Sequence, residues 1–268
     1  VFELIIDTGT GKILHYKKNR VLKKVIAGTD QPYDETAALI VNKYYDQIKE
    51  KFAEVVGETS VDLKRRYKRE SNIGNLVCDT MREETNADVA FLNSGGMRTD
   101  IPKGKISLEQ VFTLLPFDNN LVTMKLTGTQ ILELVEYNAK MEKGFLQASG
   151  IKIRYDLSEP AGSRVKEVYI GDKALTMEKT YTVTTVDFLA AGGDAFTTFK
   201  EGKNVLYGIT LRDLFVSYLK KHSPVDPRIE GRIIVNTGRE ASKLYDTRTN
   251  LSRVNLFDLL QWDAQQAF

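Results

Sequence analysis

Residues 88–100 read D-V-A-F-L-N-S-G-G-M-R-T-D, and the fold of the chain is organised around this stretch. Its apolar run, residues 89–92, is short and unbroken, which is typical of a buried strand. Gly95 and Gly96 follow at once, and because glycine has no Cβ the pair can adopt positive φ and let a ligand lie close to the backbone. The stretch therefore predicts a strand that leaves the core and turns sharply.

Two polar side chains flank this turn and indicate what it could bind. Asn93 precedes the glycines and Arg98 follows them, so an amide and a guanidinium group come from the same turn. Such groups hold anions and polar rings. An ordinary Gly-Gly turn with a solvated arginine is the commoner structure for this pattern, so other stretches must decide between the two.

Composition predicts a globular protein without an electrostatic specialisation. The 268 residues are 42% apolar and 28% charged, enough for one large domain or two small ones, each with a core. There are 38 Lys and Arg against 36 Asp and Glu, so the net charge of +2 argues for neither nucleic acid nor a membrane surface as partner. No apolar run approaches the roughly 18 residues of a membrane span. The single cysteine, Cys78, lies among apolar neighbours and is predicted to be a core residue.

The first part of the chain predicts a hairpin and a long helix. Residues 1–16 contain two apolar segments separated by a T-G-T-G turn. Asp34 is a good N-cap for an amphipathic helix whose apolar spacing extends to Val55 and which Gly57 would close. A second helix is predicted around residues 73–81, directly after a basic cluster that could equally be a solvated face.

Three further helix starts are marked by capping residues. Ser107 with Gln110, and Thr127 with Gln130, have the spacing of a capping box, in which each side chain bonds the backbone N–H of the other residue. Thr210 similarly begins a final helix. These signals are local, so we expect them to hold in the folded protein.

Strands are interleaved with these helices. They are predicted at residues 121–126, 151–155, 165–170 and 181–186. Gly171 and Asp172 are predicted to form the turn that joins the last two strands. Because strands and helices alternate without a regular repeat, the pattern favours a mixed α/β domain over a strict doubly wound sheet.

Four stretches taken together carry a resemblance to a known family. They are K-R-E-S-N-I-G-N-L at 68–76, N-S-G-G-M-R at 93–98, L-L-P-F-D-N-N at 114–120 and V-D-F-L-A-A-G-G-D-A-F at 186–196. In this order, they resemble the C-terminal domain of the 5′-nucleotidase family, which includes the UDP-sugar hydrolases and the 2′,3′-cyclic phosphodiesterase/3′-nucleotidases. The resemblance covers about residues 60–235.

The resemblance implies a domain organisation. Residues 60–236 would form a four-layer α/β/β/α substrate-binding domain. Residues 1–33 would be the last strands of a metallophosphatase domain, and residues 34–59 the family's bridging helix. The tail, residues 237–268, has apolar residues at near-helical spacing and is expected to be a helix docked on its own domain.

The resemblance also implies roles for individual side chains. Phe117 and Phe188 match the two rings that sandwich the base, although a phenylalanine is more often part of a core. Asp194 matches the carboxylate that accepts the ribose hydroxyls, and its alternative role is to form a Gly-Gly-Asp turn. Arg69 and Arg98 match the arginines that grip phosphate and ribose.

The remaining candidates lie in the same loops. Asn93 matches a residue that contacts the base edge in some members, and capping its own turn is the alternative. Gly95 and Gly96 would let the ligand approach the backbone. Asn119 and Phe196 are expected to line the pocket without an assigned role.

Catalysis in this family needs a metal centre, for which the sequence offers few ligands. Members of the family bind two divalent metal ions through several His and Asp ligands in the N-terminal domain, whereas this chain has two histidines, His15 and His222, both expected to be structural. The chain also does not begin with Met. We therefore expect a fragment that carries no cofactor, is inactive by itself, and has the missing catalytic domain as its partner.

The predicted function follows from the resemblance. The chain would be the nucleotide-binding domain of a metal-dependent 5′-nucleotidase that hydrolyses nucleoside 5′-monophosphates in the periplasm, on the cell surface or outside the cell. The alternatives are the same domain from a 2′,3′-cyclic phosphodiesterase/3′-nucleotidase or a UDP-sugar hydrolase, or a binding module without catalysis.

Overall fold

We analysed a computed structural model of the chain, which describes residues 4–6, 13–16, 34–141 and 144–237. The chain divides into two units, Val1–Glu50 and Lys51–Phe268. In the first unit, β1 (Leu4–Ile6) pairs antiparallel with β2 (Ile13–Tyr16), which confirms the hairpin. The helix α1 (Glu35–Phe52) begins in this unit, and Asp34 caps it by accepting a hydrogen bond from the backbone N–H of Ala37.

The second unit contains the remaining elements. In chain order they are β3 (Val55–Thr59), α2 (Asn72–Thr85), β4 (Val89–Asn93), β5 (Gly104–Ser107), α3 (Leu108–Leu114), β6 (Asn120–Thr127), α4 (Gly128–Asn138), β7 (Leu146–Ser149), β8 (Ile151–Asp156), β9 (Val165–Ile170), β10 (Lys173–Ala174), β11 (Thr180–Val186), α5 (Asp187–Ala190), β12 (Lys203–Thr210), α6 (Leu211–His222) and β13 (Ile233–Asn236). Short 3₁₀ turns follow β4 and α5.

The long helix ends earlier than its apolar spacing predicts. It stops at Phe52, and Val55 begins β3, which pairs with β5. Gly57 lies inside this strand and does not close a helix. A Cβ at Gly57 would lie 2.5 Å from Oγ of Ser223, so the glycine is needed for the close approach of the segment after α6. The prediction was wrong because apolar spacing cannot separate the end of a helix from an adjoining strand.

Two sheets, with helices packed against them, form the core of the second unit, and this architecture belongs to the predicted mixed α/β class. The central sheet has the order β12-β6-β11-β4-β7, in which only the β11–β4 pair is parallel. The other sheet has the order β10-β9-β8-β13. Residues 89–91 are fully buried, which confirms the buried strand. Helices α2 and α6 pack against each other and α2 covers β4 and β7, while α4 contacts both β6 and β9.

One predicted connection between strands is wrong. Gly171 and Asp172 do form a two-residue turn, with Gly171 at φ 59°, but the turn joins β9 to the short strand β10. The strand β11 lies in the central sheet, so β9 and β11 do not pair. The Gly-Asp pair correctly predicts a hairpin turn, but it does not predict that the strand after the turn, β10, is only two residues long.

The local capping signals are confirmed. Ser107 and Gln110 form a complete capping box at α3, and Thr127 and Gln130 form another at α4. Thr210 caps α6 by accepting a hydrogen bond from the backbone N–H of Asp213.

Several other residues are placed as the sequence predicts. Cys78 is fully buried, and burial raises the pKa of its thiol. His222 ends α6 and stacks on Tyr218, with 4.3 Å between ring centroids.

In the part of the chain that the structure describes, no helix is long and apolar enough to cross a membrane. The helix predicted for the tail lies outside the described residues from residue 238 onward.

Candidate functional site

The strand order brings three of the four motif loops to one edge of the central sheet. Because β11 runs parallel to β4, the chain leaves both strands at the same edge. The strand β6 is antiparallel to β11 and pairs Leu121 with Val186, so the loop that precedes β6 reaches that edge too. The loops at 93–98, 114–120 and 186–196 are therefore neighbours. The fourth loop, 68–76, leads into α2, which covers β4.

The turn after β4 is built differently from the sequence expectation. Ser94–Gly96 form a 3₁₀ turn, and neither Gly95 nor Gly96 has positive φ. A Cβ at Gly96 would lie 3.0 Å from Oδ1 of Asn93, a tight contact that a small shift of the Asn93 side chain would have to relieve. Arg98 is exposed beyond the turn, and its Nη1 donates to the carbonyl oxygen of Gly95 at 3.3 Å.

A direct hydrogen bond joins this turn to the G-G-D loop. Nδ2 of Asn93 donates to Oδ2 of Asp194 at 2.9 Å, across 101 residues of sequence. Asp194 is exposed and has φ 53°, and the next residue, Ala195, has φ 60°. An alanine in the left-handed backbone conformation is destabilised by about 1 kcal/mol or more, so the surrounding contacts must hold this turn in place. One of these contacts is the hydroxyl of Tyr137, 3.3 Å from the carbonyl oxygen of Asp194.

The loop before β6 presents Phe117 at the rim of a small pocket. The ring is half-buried, and the pocket is open to solvent. Its lining consists of Leu92, Gly96, Leu115, Phe117, Asn119 and Leu211. The pocket therefore combines the turn after β4 with the Phe117 loop, and Asn119 is among its lining residues. Among the described residues, this lining does not include Phe188.

Arg212 holds the Phe117 loop from outside. Its Nη1 donates to the carbonyl oxygen of Leu115 at 3.1 Å, and its Nη2 forms an ion pair with Asp118. The guanidinium carbon lies 4.1 Å from the ring centroid of Phe112. No local sequence pattern marks this arginine as part of the site, because it lies 97 residues from Leu115 along the chain.

Phe188 lies on the short helix α5, beside the G-G-D turn. Its backbone N–H donates to Oδ1 of Asp187 at 2.7 Å, while Oδ2 of Asp187 accepts from the backbone N–H of Asn120 at 3.0 Å. Asp187 thus links the Phe188 and Phe117 loops. Gly193 packs under the ring, since a Cβ there would lie 2.5 Å from Cζ of Phe188.

Phe196 does not line the pocket as expected. It is 1% exposed and packs edge-on against Tyr137, with 5.0 Å between ring centroids. The two phenylalanines of this loop therefore differ in environment, because Phe188 is half-buried whereas Phe196 belongs to the core.

The basic loop before α2 is anchored by two buried side chains. Arg69 is exposed, whereas Glu70 is 3% exposed and accepts hydrogen bonds from the backbone N–H groups of Glu230 and Arg232. Gln147 is fully buried and donates through Nε2 to the carbonyl oxygen of Arg69 at 2.9 Å. This glutamine is not among the residues predicted from the sequence, although an amide within the otherwise apolar and small run F-L-Q-A-S is a usable signal.

The assembled loops offer complementary chemistry. Arg98 and Arg69 are exposed and supply donors only, whereas the carboxylate of Asp194 is an acceptor. Phe117 and Phe188 supply half-buried aromatic faces. Within the described ranges, no group of three His, Cys, Asp or Glu side chains is arranged to hold a metal ion. The arrangement suits recognition of a polar molecule with a flat ring.

Comparison with known proteins identifies the family. The family model for the 5'-nucleotidase, C-terminal domain, matches residues 55–201. The trifunctional nucleotide phosphoesterase protein YfkN of Bacillus subtilis is 36% identical over an alignment of length 214, and the match covers 72% of this chain and 14% of that protein. The snake venom 5'-nucleotidase of Macrovipera lebetinus is 30% identical over an alignment of length 264, and the match covers 83% of this chain and 65% of that protein.

A solved structure has the same fold. The crystal structure of the 5'-nucleotidase precursor from Thermus thermophilus superposes with a TM-score of 0.71 at 35% identity, and the match covers 88% of this chain and 49% of that one. The chain belongs to the 5′-nucleotidase family and contains its C-terminal domain. It spans about half of the length of this solved relative.

Proposed function

We propose that this chain forms the nucleotide-recognition part of a metal-dependent 5′-nucleotidase that hydrolyses nucleoside 5′-monophosphates. The observation that carries the proposal is the junction of loops far apart in sequence at one sheet edge, above all the bond between Asn93 and Asp194. This bond places the carboxylate of Asp194 beside the turn that leads to Arg98, so an acceptor and a donor for one polar ligand come from loops at the same edge, which supports the proposal.

The proposed roles follow the chemistry of each group. Phe117 and Phe188 stack on the base, because every base has an aromatic face and stacking tolerates its identity. Arg98 and Arg69 bind phosphate or ribose oxygens through their planar guanidinium groups. Asp194 accepts hydrogen bonds from the ribose hydroxyls through its carboxylate.

Three other members of the site would support these groups. Asn93 contacts the base edge or holds Asp194 in place, and the bond between them favours the second role. Gly95 and Gly96 keep the backbone of the turn close to the ligand, and Gly96 lines the pocket.

The metal chemistry would belong to another part of the intact protein. The described residues do not fit a metal site, so we assign no chemical step to this chain. We propose that an N-terminal domain of the intact protein would hold two divalent metal ions, which would activate water for hydrolysis of the phosphate ester while this chain holds the nucleoside. Because the relatives include a snake venom enzyme, we further propose that the intact protein works in the periplasm, on the cell surface or outside the cell.

Titration calorimetry with the 268-residue chain tests the proposal. The ligands are AMP, adenosine and 2′,3′-dideoxyadenosine. Replacing Phe117 or Phe188 with Ala should weaken the binding of all three ligands by about 1 to 3 kcal/mol, roughly fivefold to 150-fold in affinity. The matched control is Tyr169→Ala, which removes an exposed ring from the other sheet and should leave affinity unchanged.

Two variants of polar residues test which part of the nucleotide each residue binds. Asp194→Ala should weaken adenosine more than dideoxyadenosine, which has no ribose hydroxyls to donate. Arg98→Ala should weaken AMP more than adenosine, and the difference should shrink at high salt because screening weakens charge pairing. Absence of binding of AMP and adenosine to the parent chain would refute the proposal. Equal losses for all three ligands in the Asp194 variant would limit that residue to holding the turn.

A further inference from the structure

Gln147 is a fully buried amide that lies behind the site. It belongs to β7, where it pairs with Leu92 of β4, directly before the turn that carries Arg98. A buried amide that lacks partners costs free energy, so its contacts reveal what the fold uses it for. All of its described side-chain partners belong to the two loops that carry Arg69 and Arg98.

The oxygen of the Gln147 amide fixes the basic loop. Oε1 accepts from both the backbone N–H and the hydroxyl of Ser71, each at 2.8 Å. Ser71 is the N-cap of α2, and its Oγ accepts from the backbone N–H of Gly74 at 3.1 Å. A Cβ on Gly74 would collide with the Gln147 side chain, so this glycine is what admits the amide. The start of α2 and the end of the basic loop are thereby held to β7.

The nitrogen of the same amide joins the two loops. Nε2 donates to the carbonyl oxygen of Arg69 at 2.9 Å and to Oγ of Ser94 at 3.1 Å, with a longer contact of 3.4 Å to the carbonyl oxygen of Arg66. Ser94 begins the 3₁₀ turn that leads to Arg98, and its hydroxyl donates to the carbonyl oxygen of Phe145. One planar amide therefore spans the backbone of Arg69 and the start of the Arg98 turn.

We infer that Gln147 is a positioning residue that fixes the distance between Arg69 and Arg98, so that both guanidinium groups reach the phosphate and ribose of one nucleotide. The inference rests on the proposed function for its ligand. An amide suits the task because it donates and accepts at once in a fixed plane, which no apolar side chain of the same length does. Guanidinium groups select paired oxygens by geometry, so a small displacement of either loop reduces phosphate binding.

Base stacking should be largely independent of Gln147. The Phe117 loop is held by Arg212 and the Phe188 helix by Asp187, and neither of these residues bonds to the glutamine in the described part of the chain. Loss of the amide should therefore weaken ligands with a phosphate more than ligands without one.

The test is Gln147→Met, which keeps the length of the side chain and removes both polar ends. We expect affinity for AMP to fall about tenfold to a hundredfold, because charge-assisted hydrogen bonds to the phosphate would be weakened, and affinity for adenosine to fall less than about threefold. The matched control is Asn138→Leu. It removes another buried amide, whose partners are the Tyr155 hydroxyl and the Leu146 N–H, and should leave the ratio of the two affinities unchanged.

Hydrogen exchange provides a second readout that needs no ligand. In Gln147→Met the amides of both loops, including Ser71 and Ser94, should exchange faster, whereas faster exchange at Ser71 alone would overturn the coupling of the two loops. If Gln147→Met does not fold, Ser94→Ala removes the bond between Gln147 and the Arg98 turn, together with the bonds of the Ser94 hydroxyl to the carbonyl oxygens of Phe145 and Tyr67, and should still weaken AMP more than adenosine. Equal losses for the two ligands in that variant would also overturn the inference. If the parent chain binds neither ligand, the proposed function fails, while hydrogen exchange still decides whether Gln147 couples the loops.

Discussion

At the scale of single residues, two glycines shape the candidate site because they have no side chain. Gly96 leaves room for the Asn93 side chain, and Gly193 leaves room for the Phe188 ring. Asp194 and Ala195 both lie in the left-handed region, where side chains are disfavoured. Such strain persists only where neighbouring contacts fix the backbone, and it is often found at binding sites.

Gly193→Ala tests the packing beneath Phe188. The new methyl group would lie 2.5 to 2.6 Å from the ring atoms Cζ, Cε1 and Cε2, so the ring must move. We expect adenosine binding to weaken by about 1 kcal/mol or more, roughly fivefold or more, because the displaced ring no longer stacks on the base. Gly208→Ala is the control, since its nearest atom would be Cβ of Leu121 at 3.4 Å, an ordinary contact. Unchanged adenosine affinity in the folded Gly193→Ala variant would show that Phe188 does not contribute to adenosine binding.

At the scale of elements, helix starts follow local rules whereas strand ends do not. Both capping boxes form as the spacing predicts, because the two partners are three residues apart and need no tertiary contact. The boundary between α1 and β3 is different. Val55 continues the apolar spacing of the helix, yet it pairs with Ser107 of β5, a partner supplied by a distant segment.

Thr127→Ala should destabilise the protein through α4. The variant loses the hydrogen bond from the backbone N–H of Gln130 to the Thr127 hydroxyl, 3.2 Å long, and we expect about 1 kcal/mol of stability to be lost in urea unfolding. Because α4 contacts both sheets, the loss should appear in global unfolding. Thr113→Ala is the control, as its exposed hydroxyl bonds Glu109 within α3 and caps nothing. Equal losses in the two variants would contradict a capping role.

At the scale of the whole second unit, a buried arginine connects elements of both sheets. Arg232 directly precedes β13 of the four-stranded sheet and is 8% exposed. Its Nη1 and Nη2 bond the two carboxylate oxygens of Asp79 on α2 at 2.7 and 2.8 Å, and Nη1 also donates to the carbonyl oxygen of Ala148 on β7. Burial lowers the pKa of Arg232, but the hydrogen bonds and charge of Asp79 more than offset this effect, so the pKa is raised.

Arg232→Met should therefore destabilise the protein strongly. Asp79 would lose its bidentate partner, and we expect the free energy of unfolding to fall by about 3 kcal/mol. This value is the lower end for a buried ion pair, because the Asp79 side chain is 35% exposed. Arg154→Met breaks the exposed pair with Glu167 and should cost less than about 1 kcal/mol. Urea unfolding of both variants measures the difference. A loss in Arg232→Met no larger than in Arg154→Met would show that the pair does not hold the sheets together.

The sequence by itself determined the mixed α/β class, the buried strand at residues 89–92, the helix caps and the four motif loops that identify the family. These features depend on apolar spacing and on residues a few positions apart, which act before the chain is folded. The tertiary structure decided that β9 and β11 belong to different sheets, that Gly57 lies in a strand, and that Phe196 is core. It also decided that Asn93 bonds Asp194 and that Gln147 joins two loops. These outcomes depend on strand order, which brings together residues separated by up to 101 positions, and no local pattern encodes such a contact.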